Sequence, residues 1–365
     1  MSRKITIIIL IITLSLGKAS YCHKPDINAQ SAILIDAQSK RVLASYNPHT
    51  KLPIASTTKI MTALLALENG ELYDKINVDI NAVGIEGSSI YLEEGEVITL
   101  EDLLYGLMLR SGNDSAVAIA EYLGKNIEDF VKMMNEKAKN IGAEDTNFMN
   151  PHGLHHENHY STAYDLALIT AEAMNFEEFN QIVSSKTWKA NRDKNNIFYN
   201  KNKTLWEYKG GDGVKTGYTT KSGRCLVTSA TRNGTKLIAV VLNDSNWFDD
   251  CYRLMDYGFD NFTTYVIYDK NQFMKEIPVT NGSKDYIHAV SKNSFLYPLS
   301  DEELDEVKIN INLPKTLEAP IDKDEIIGDI TVYLEGKIIH KGKIVSKEKV
   351  EKLGMIRKFI KKIKD

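Results

Sequence analysis

The period of the hydrophobic positions changes repeatedly along this chain, and each change predicts an element. Ala32-Ile33-Leu34-Ile35, the polar stretch Asp36 to Lys40 and Val42 to Tyr46 predict two short strands around a turn. After Pro53, residues Ile60, Met61, Leu64 and Leu67 recur at helical spacing, so a buried helix begins near Ser56. Asn77 to Glu96 breaks into short alternating pieces around Gly84, Gly87 and Gly95, which predicts small strands and turns over a surface. Leu103, Leu104, Leu107 and Met108 restore the helical period over 100–109. Further helices follow over 116–123, 130–141 and 161–174.

Near residue 205 the period changes. Gly210 to Tyr218, Arg224 to Ala230 and Lys236 to Leu242 read as successive antiparallel strands, the last two joined by the Asn233-Gly234 turn. Beyond Phe259 the composition shifts to Tyr265–Tyr268, Ser294–Tyr297, Val307–Leu313 and Ile330–Leu334, punctuated by Gly282, Gly328 and Gly336. This predicts a small all-β domain after a helix-rich one, an α+β chain.

Both ends carry different patterns. Met1-Ser2-Arg3-Lys4, the uncharged run Ile5 to Leu16 and Gly17-Lys18-Ala19 have the basic, apolar, small-residue order of a cleaved secretory signal over 1–19, so the mature, exported protein begins near Ser20. Over 346–365, Val350, Leu353, Ile356, Phe359, Ile360 and Ile363 fall on one side of a helix and Lys358, Lys361 and Lys362 on the other. That basic amphipathic pattern predicts a segment lying on an anionic membrane surface.

Composition bounds the rest. With 365 residues, 43% of them hydrophobic and 26% charged, the chain can bury a large core and is expected to hold two domains. Its net charge of -4 gives no reason to expect nucleic acid. Three cysteines, Cys22, Cys225 and Cys251, supply no disulfide framework despite export, although a Cys225–Cys251 bridge stays open. Tyr21 stands before Cys22, where a lipoprotein signal wants a small side chain.

Three short motifs carry candidate chemistry. Ser56 and Lys59 lie three apart on one helical face, so a hydroxyl and an amine sit side by side. A serine hydroxyl attacks only when a base takes its proton, and a lysine is that base only if burial or a neighbouring cation holds it neutral. The same spacing recurs at Ser15/Lys18 and Ser346/Lys349, in the leader and the tail, where no folded pocket is expected. Ser111-Gly112-Asn113-Asp114 joins two helices and presents a hydroxyl and an amide at its tip; its structural alternative is a C-cap glycine followed by an N-cap aspartate. Lys215-Thr216-Gly217 lies on a strand whose backbone could pair with a peptide while the cation holds its terminal carboxylate; an ordinary exposed strand lysine is the alternative. His152, His155, His156 and His159 read as a polar loop rather than a metal site, and no cofactor is expected.

In this order the three motifs resemble those of the low-molecular-mass penicillin-binding proteins, the serine-type D-alanyl-D-alanine carboxypeptidases. The resemblance runs from Ala32 to the tail and takes in Asn150-Pro151-His152-Gly153-Leu154, Ser161 to Ala167 and Leu254 to Phe259. It implies a penicillin-binding-protein/β-lactamase-like transpeptidase domain over 20–262, an antiparallel sheet with a helical subdomain, then an all-β domain over 263–345. It further implies that Ser56 attacks the bond between the last two D-alanines of a peptidoglycan stem peptide, with Lys59 as proton acceptor and Ser111 as relay. Asn113 would orient Lys59 and the substrate amide, and Lys215 and Thr216 would hold the carboxylate. Gly217 would keep the strand close, and the N–H groups of Ser56 and Tyr218 would form an oxyanion hole. Water would release the acyl-enzyme, and β-lactams would stall there as covalent inhibitors. The place of action would be the outer face of a bacterial cytoplasmic membrane or its wall.

Two departures stand out. The middle motif is Ser-Gly-Asn rather than Ser-Asp-Asn, and Trp247 stands where some relatives place an arginine that helps hold the carboxylate; Arg224, on the strand after Gly217, is the candidate to compensate. Two other readings compete. A serine β-lactamase would need a deacylating glutamate motif, which is not found, and a non-catalytic penicillin or cell-wall receptor would bind without turnover.

Overall fold

The structure is a computed structural model and describes residues 24–354. The expected leader over 1–19 and the tail beyond Gly354 lie outside the described residues.

The catalytic half is built on a five-stranded antiparallel sheet in the order Val42–Tyr46, Ser31–Asp36, Thr235–Leu242, Gly223–Arg232, Gly211–Thr219. Its central strands read as continuous apolar runs because both faces are covered. Ile33, Ile35, Val227, Ile238 and Val240 face the larger core, which the helices Lys59–Asn69 and Ala163–Ala173 complete. Alternate residues Ala32, Leu34, Leu226, Leu237, Ala239 and Val241 face a second core under the helix Trp247–Asn261. The first helices form as their spacing predicts, over Lys59–Asn69, Leu100–Tyr105, Asn113–Gly124, Ile127–Ile141 and Ala163–Ala173. The sequence reading did not contain the helix Glu177–Ser184 or the hairpin Thr187–Lys189/Ile197–Tyr199, whose exposed positions leave too few apolar residues to set a period.

The sheet also decides the cysteine question. Cys225 packs into the larger core and Cys251 into the second, so the sheet stands between them and both are free thiols.

From Thr263 onward the chain is all-β. A two-stranded ribbon, Thr263–Tyr268 with Phe295–Leu299, leads into a six-stranded sheet with its own core around Ile277, Ile287, Ile330, Val332 and Ile344. Arg41 clasps this half to the first: it donates to the Pro298 carbonyl, pairs with Glu303, and lies over the rings of Phe262 and Tyr297 at 5.2 and 5.0 Å. Here one expectation is corrected. Residues 347–354, the start of the expected amphipathic helix, are not helical. Val350 is fully buried in the β-domain core and exchanges backbone hydrogen bonds with Ile321 at 2.8 and 2.9 Å. An apolar slot and a free strand partner outcompete the helical period of so short a stretch.

Candidate active site

The candidate nucleophile lies in a 3₁₀ turn, Ala55–Thr58, that runs into the helix Lys59–Asn69. Its geometry is set before the helix begins: Ala55 has a left-handed backbone, φ +46, so the chain turns sharply and lifts Ser56 off the helix axis. Pro53 and the buried Ile54 anchor the turn from below.

One helical turn on, Lys59 is 0% exposed. Its Nζ lies 3.0 Å from Ser56 Oγ, 2.6 Å from Asn113 Oδ1 and 2.7 Å from the His152 carbonyl oxygen. Burial holds this amine well below the ordinary lysine range, and repulsion from Lys215 and Lys201 adds to the shift against a smaller opposing pull from Asp114. A neutral amine has two N–H donors and one lone pair. With Asn113 and the His152 carbonyl taking the donors, the lone pair is left for the Ser56 proton.

Asn113 opens the helix Asn113–Gly124, and its position is over-determined. Its N–H donates to the Ser88 carbonyl at 2.7 Å, its side-chain amide donates to the Glu86 carbonyl, and a Cβ on Gly87 would stand 2.8 Å from Nδ2. Next to it, the buried Asp114 accepts the N–H groups of Ile90 and Leu92, both at about 3.1 Å, and the Ser89 hydroxyl. The connection therefore differs from a glycine C-cap: Ser111 itself takes the left-handed position, φ +64, at the end of the wide turn Gly106–Arg110. That conformation is costly for serine, and it puts a nearly buried hydroxyl two residues before the amide that touches Lys59.

The third segment is the edge strand Gly211–Thr219. Gly217 lies against the nucleophile turn, since a Cβ there would meet Ser56 N at 3.0 Å and Thr57 N at 3.1 Å. Tyr218, the next residue, is 64% exposed. Lys215 is not an exposed strand lysine: it is 2% exposed, donates to the Thr216 carbonyl at 2.8 Å, and burial followed by repulsion from Lys201 pushes its amine down to about 7. Thr216 is half-buried beside it.

All of the expected residues thus fall on three facing segments, with Ser56, Lys59 and Asn113 joined directly. Several participants left no signal in the sequence. Lys201 approaches Ser88 Oγ at 3.4 Å and acts on both buried lysines at a distance. The backbone oxygen of His152 serves as an acceptor, a role no side chain advertises. His159 is not a solvated loop histidine; it is buried against Thr58 and the Met149 backbone. Trp247 begins its helix, and the Arg224 guanidinium lies 6.0 Å from its ring centre while donating to the Ser245 carbonyl at 3.2 Å. Arg224 pairs across the ladder with Tyr218 and lines a groove of about 380 Å³ with Tyr218, Asn243 and Asp244.

Residues 18–246 match the D-alanyl-D-alanine carboxypeptidase family, and residues 262–352 match the C-terminal domain of penicillin-binding protein 5. The chain belongs to the D-alanyl-D-alanine carboxypeptidase family. It is 34% identical to the carboxypeptidase DacF of Bacillus subtilis, over 90% of this chain and 87% of that one. Against DacA of Escherichia coli K12 the identity is 31%, over 93% and 88%. Penicillin-binding protein 5 of Haemophilus influenzae superposes with a TM-score of 0.76 at 32% identity, covering 90% of this carboxypeptidase-family chain and 99% of that protein. The likeness to that protein spans both domains of this chain.

Proposed function

We propose that Ser56 is the acylated nucleophile of a serine-type D-alanyl-D-alanine carboxypeptidase that removes the terminal D-alanine from peptidoglycan stem peptides. The observation carrying this reading is the fully buried Lys59 amine, whose contacts leave its lone pair for the Ser56 proton. Lys59 accepts that proton as Ser56 Oγ attacks the carbonyl carbon, and the N–H groups of Ser56 and Tyr218 receive the oxygen as it gains charge. Ser111 relays the proton to the departing D-alanine nitrogen. Asn113 holds Lys59 and the substrate amide in register. The substrate backbone lies along the free edge of the strand Gly211–Thr219, which Gly217 lets lie close against the nucleophile turn. Lys215 and Thr216 take the terminal carboxylate, with Arg224 assisting where Trp247 offers no charge. Water then hydrolyses the ester; a β-lactam, whose ring-opened product keeps its leaving group tethered, is retained.

The same reading divides the chain into a leader over 1–19, a catalytic domain over 20–262, and a β-domain over 263–345 that the docked segment 347–353 extends. The tail beyond Gly354 rests on the outer face of the cytoplasmic membrane through its apolar stripe and lysines, so the exported enzyme works at the wall.

The test is release of free D-alanine from a peptide ending in D-Ala-D-Ala, together with mass spectrometry after exposure to penicillin. The expected result is turnover in the native protein, none in Ser56→Ala, and a penicillin adduct on the peptide containing Ser56. Binding without release would favour a receptor, and rapid hydrolysis of the drug a β-lactamase.

A further inference from the structure

A buried relay under the nucleophile turn has no part in the steps above. His159 is 3% exposed, and both ring nitrogens are engaged: Nδ1 accepts the Met149 N–H at 3.0 Å, and Nε2 lies 2.8 Å from the Thr58 hydroxyl. A ring nitrogen that accepts a backbone N–H carries no proton, so the single proton sits on Nε2 and donates to Thr58 Oγ1. Thr58 then uses its own proton to donate to the Ala55 carbonyl at 2.8 Å. The Phe148 ring packs edge-on to the imidazole at 5.7 Å, and Asn135 fixes Phe148 by accepting its N–H and donating to its carbonyl at 2.8 and 2.9 Å. Gly153 closes the other side, since a Cβ there would stand 1.9 Å from the Ala55 oxygen.

The Ala55 carbonyl and the Ser56 N–H belong to one planar peptide unit and point in opposite directions. Whatever fixes the carbonyl therefore aims the N–H. Without a partner for the carbonyl, the left-handed Ala55 has reason to relax, and the N–H swings with it.

We propose that His159 is a positioning residue for the known reaction: through Thr58 it locks the Ala55–Ser56 peptide so that the Ser56 N–H points at the developing oxyanion. This rests on the assignment of Ser56 as nucleophile and oxyanion donor. The groups around the ring are His155 and His156 of its own loop, His152, and Lys59 of the nucleophile helix; burial first, then His156, His155 and Lys59, hold the imidazole down at about 4, so it stays neutral and keeps its donor direction at neutral pH.

The experiment compares Thr58→Val, Thr58→Ser, His159→Phe, His159→Gln and the double variant Thr58→Val/His159→Phe. It measures the second-order rate of acylation by a fluorescent penicillin and the turnover of a D-Ala-D-Ala peptide. Thr58→Val and His159→Phe should each slow acylation about 10- to 100-fold, the scale of a small misplacement of a reacting group, with KM nearly unchanged. The double variant should be no slower than either single one, and Thr58→Ser and His159→Gln, which keep a donor, should recover most of the rate. Nitrogen NMR of the native enzyme should show the His159 proton on Nε2. Wild-type acylation by folded Thr58→Val, multiplying losses in the double variant, or a proton on Nδ1 would overturn the proposal. Thr58→Val alone decides the matter if His159→Phe does not fold. Acylation persisting in Ser56→Ala would instead sink the underlying assignment.

Discussion

Lys59 and Lys215 are two cationic side chains that the fold strips of water, and their chemistry follows from that. Each binds its proton less tightly folded than unfolded, where a lysine titrates near 10.4. Between the folded value, about 7 for Lys215, and the unfolded one, the unfolded chain binds more protons, so stability rises with pH across that window. The free enzyme should gain thermal stability from pH 7 to 9.5, and Lys215→Met should flatten that rise in a calorimetric pH series. Activity obeys an opposed pair of demands. Lys59 must be neutral to take a proton, whereas Lys215 holds a carboxylate better when charged, so kcat/KM should be bell-shaped in pH. Lys59→Arg fixes a charge where a base is needed and should lower penicillin acylation by about 10²–10⁴-fold with the fold intact by circular dichroism, the range expected for a lost general base.

At the scale of elements, the site depends on how closely the edge strand approaches the nucleophile turn. Gly217→Ala would insert a methyl 3.0 Å from Ser56 N and 3.2 Å from Ala55 Cβ, where only backbone can yield. Separating the two oxyanion donors should cost about 10²-fold or more in acylation rate while the melting temperature moves little. Gly153→Ala should behave differently, because it sits at φ +89 and a Cβ would overlap the Ala55 carbonyl; loss of soluble, folded protein in expression trials is the expected outcome. These contacts also mark where sequence reading stops. The helix after Ser56 was legible because its apolar residues keep a period, and the strand carrying Lys215 because the apolar runs 224–230 and 236–242 follow it. The hairpin Thr187–Tyr199 and the docking of Val350 were not, since short segments take their conformation from what they touch.

For the molecule as a whole, the two halves meet at Arg41, which binds the β-half through Pro298 and Glu303 while it sits in the turn of the first hairpin. The β-half holds the segment 347–353, and the sequence continues beyond it to Asp365. Removing 355–365 should abolish sedimentation of the protein with anionic vesicles and leave peptide turnover in solution unchanged. Retained vesicle binding would place the membrane contact elsewhere.

The order and spacing of Ser56/Lys59, Ser111/Asn113 and Lys215/Thr216/Gly217, the strand and helix periods around them and the change to an all-β tail end are local properties, and the sequence alone determined them. What no local pattern encodes is the burial of the two amines. Lys59 is neutralised by burial first and by like charges on a distant strand and loop, its donors are taken by an amide 54 residues away and a carbonyl 93 residues away, and His159 meets the nucleophile turn across 101 residues. A proton affinity is set by everything within a few ångströms, and only the tertiary structure decides which residues those are.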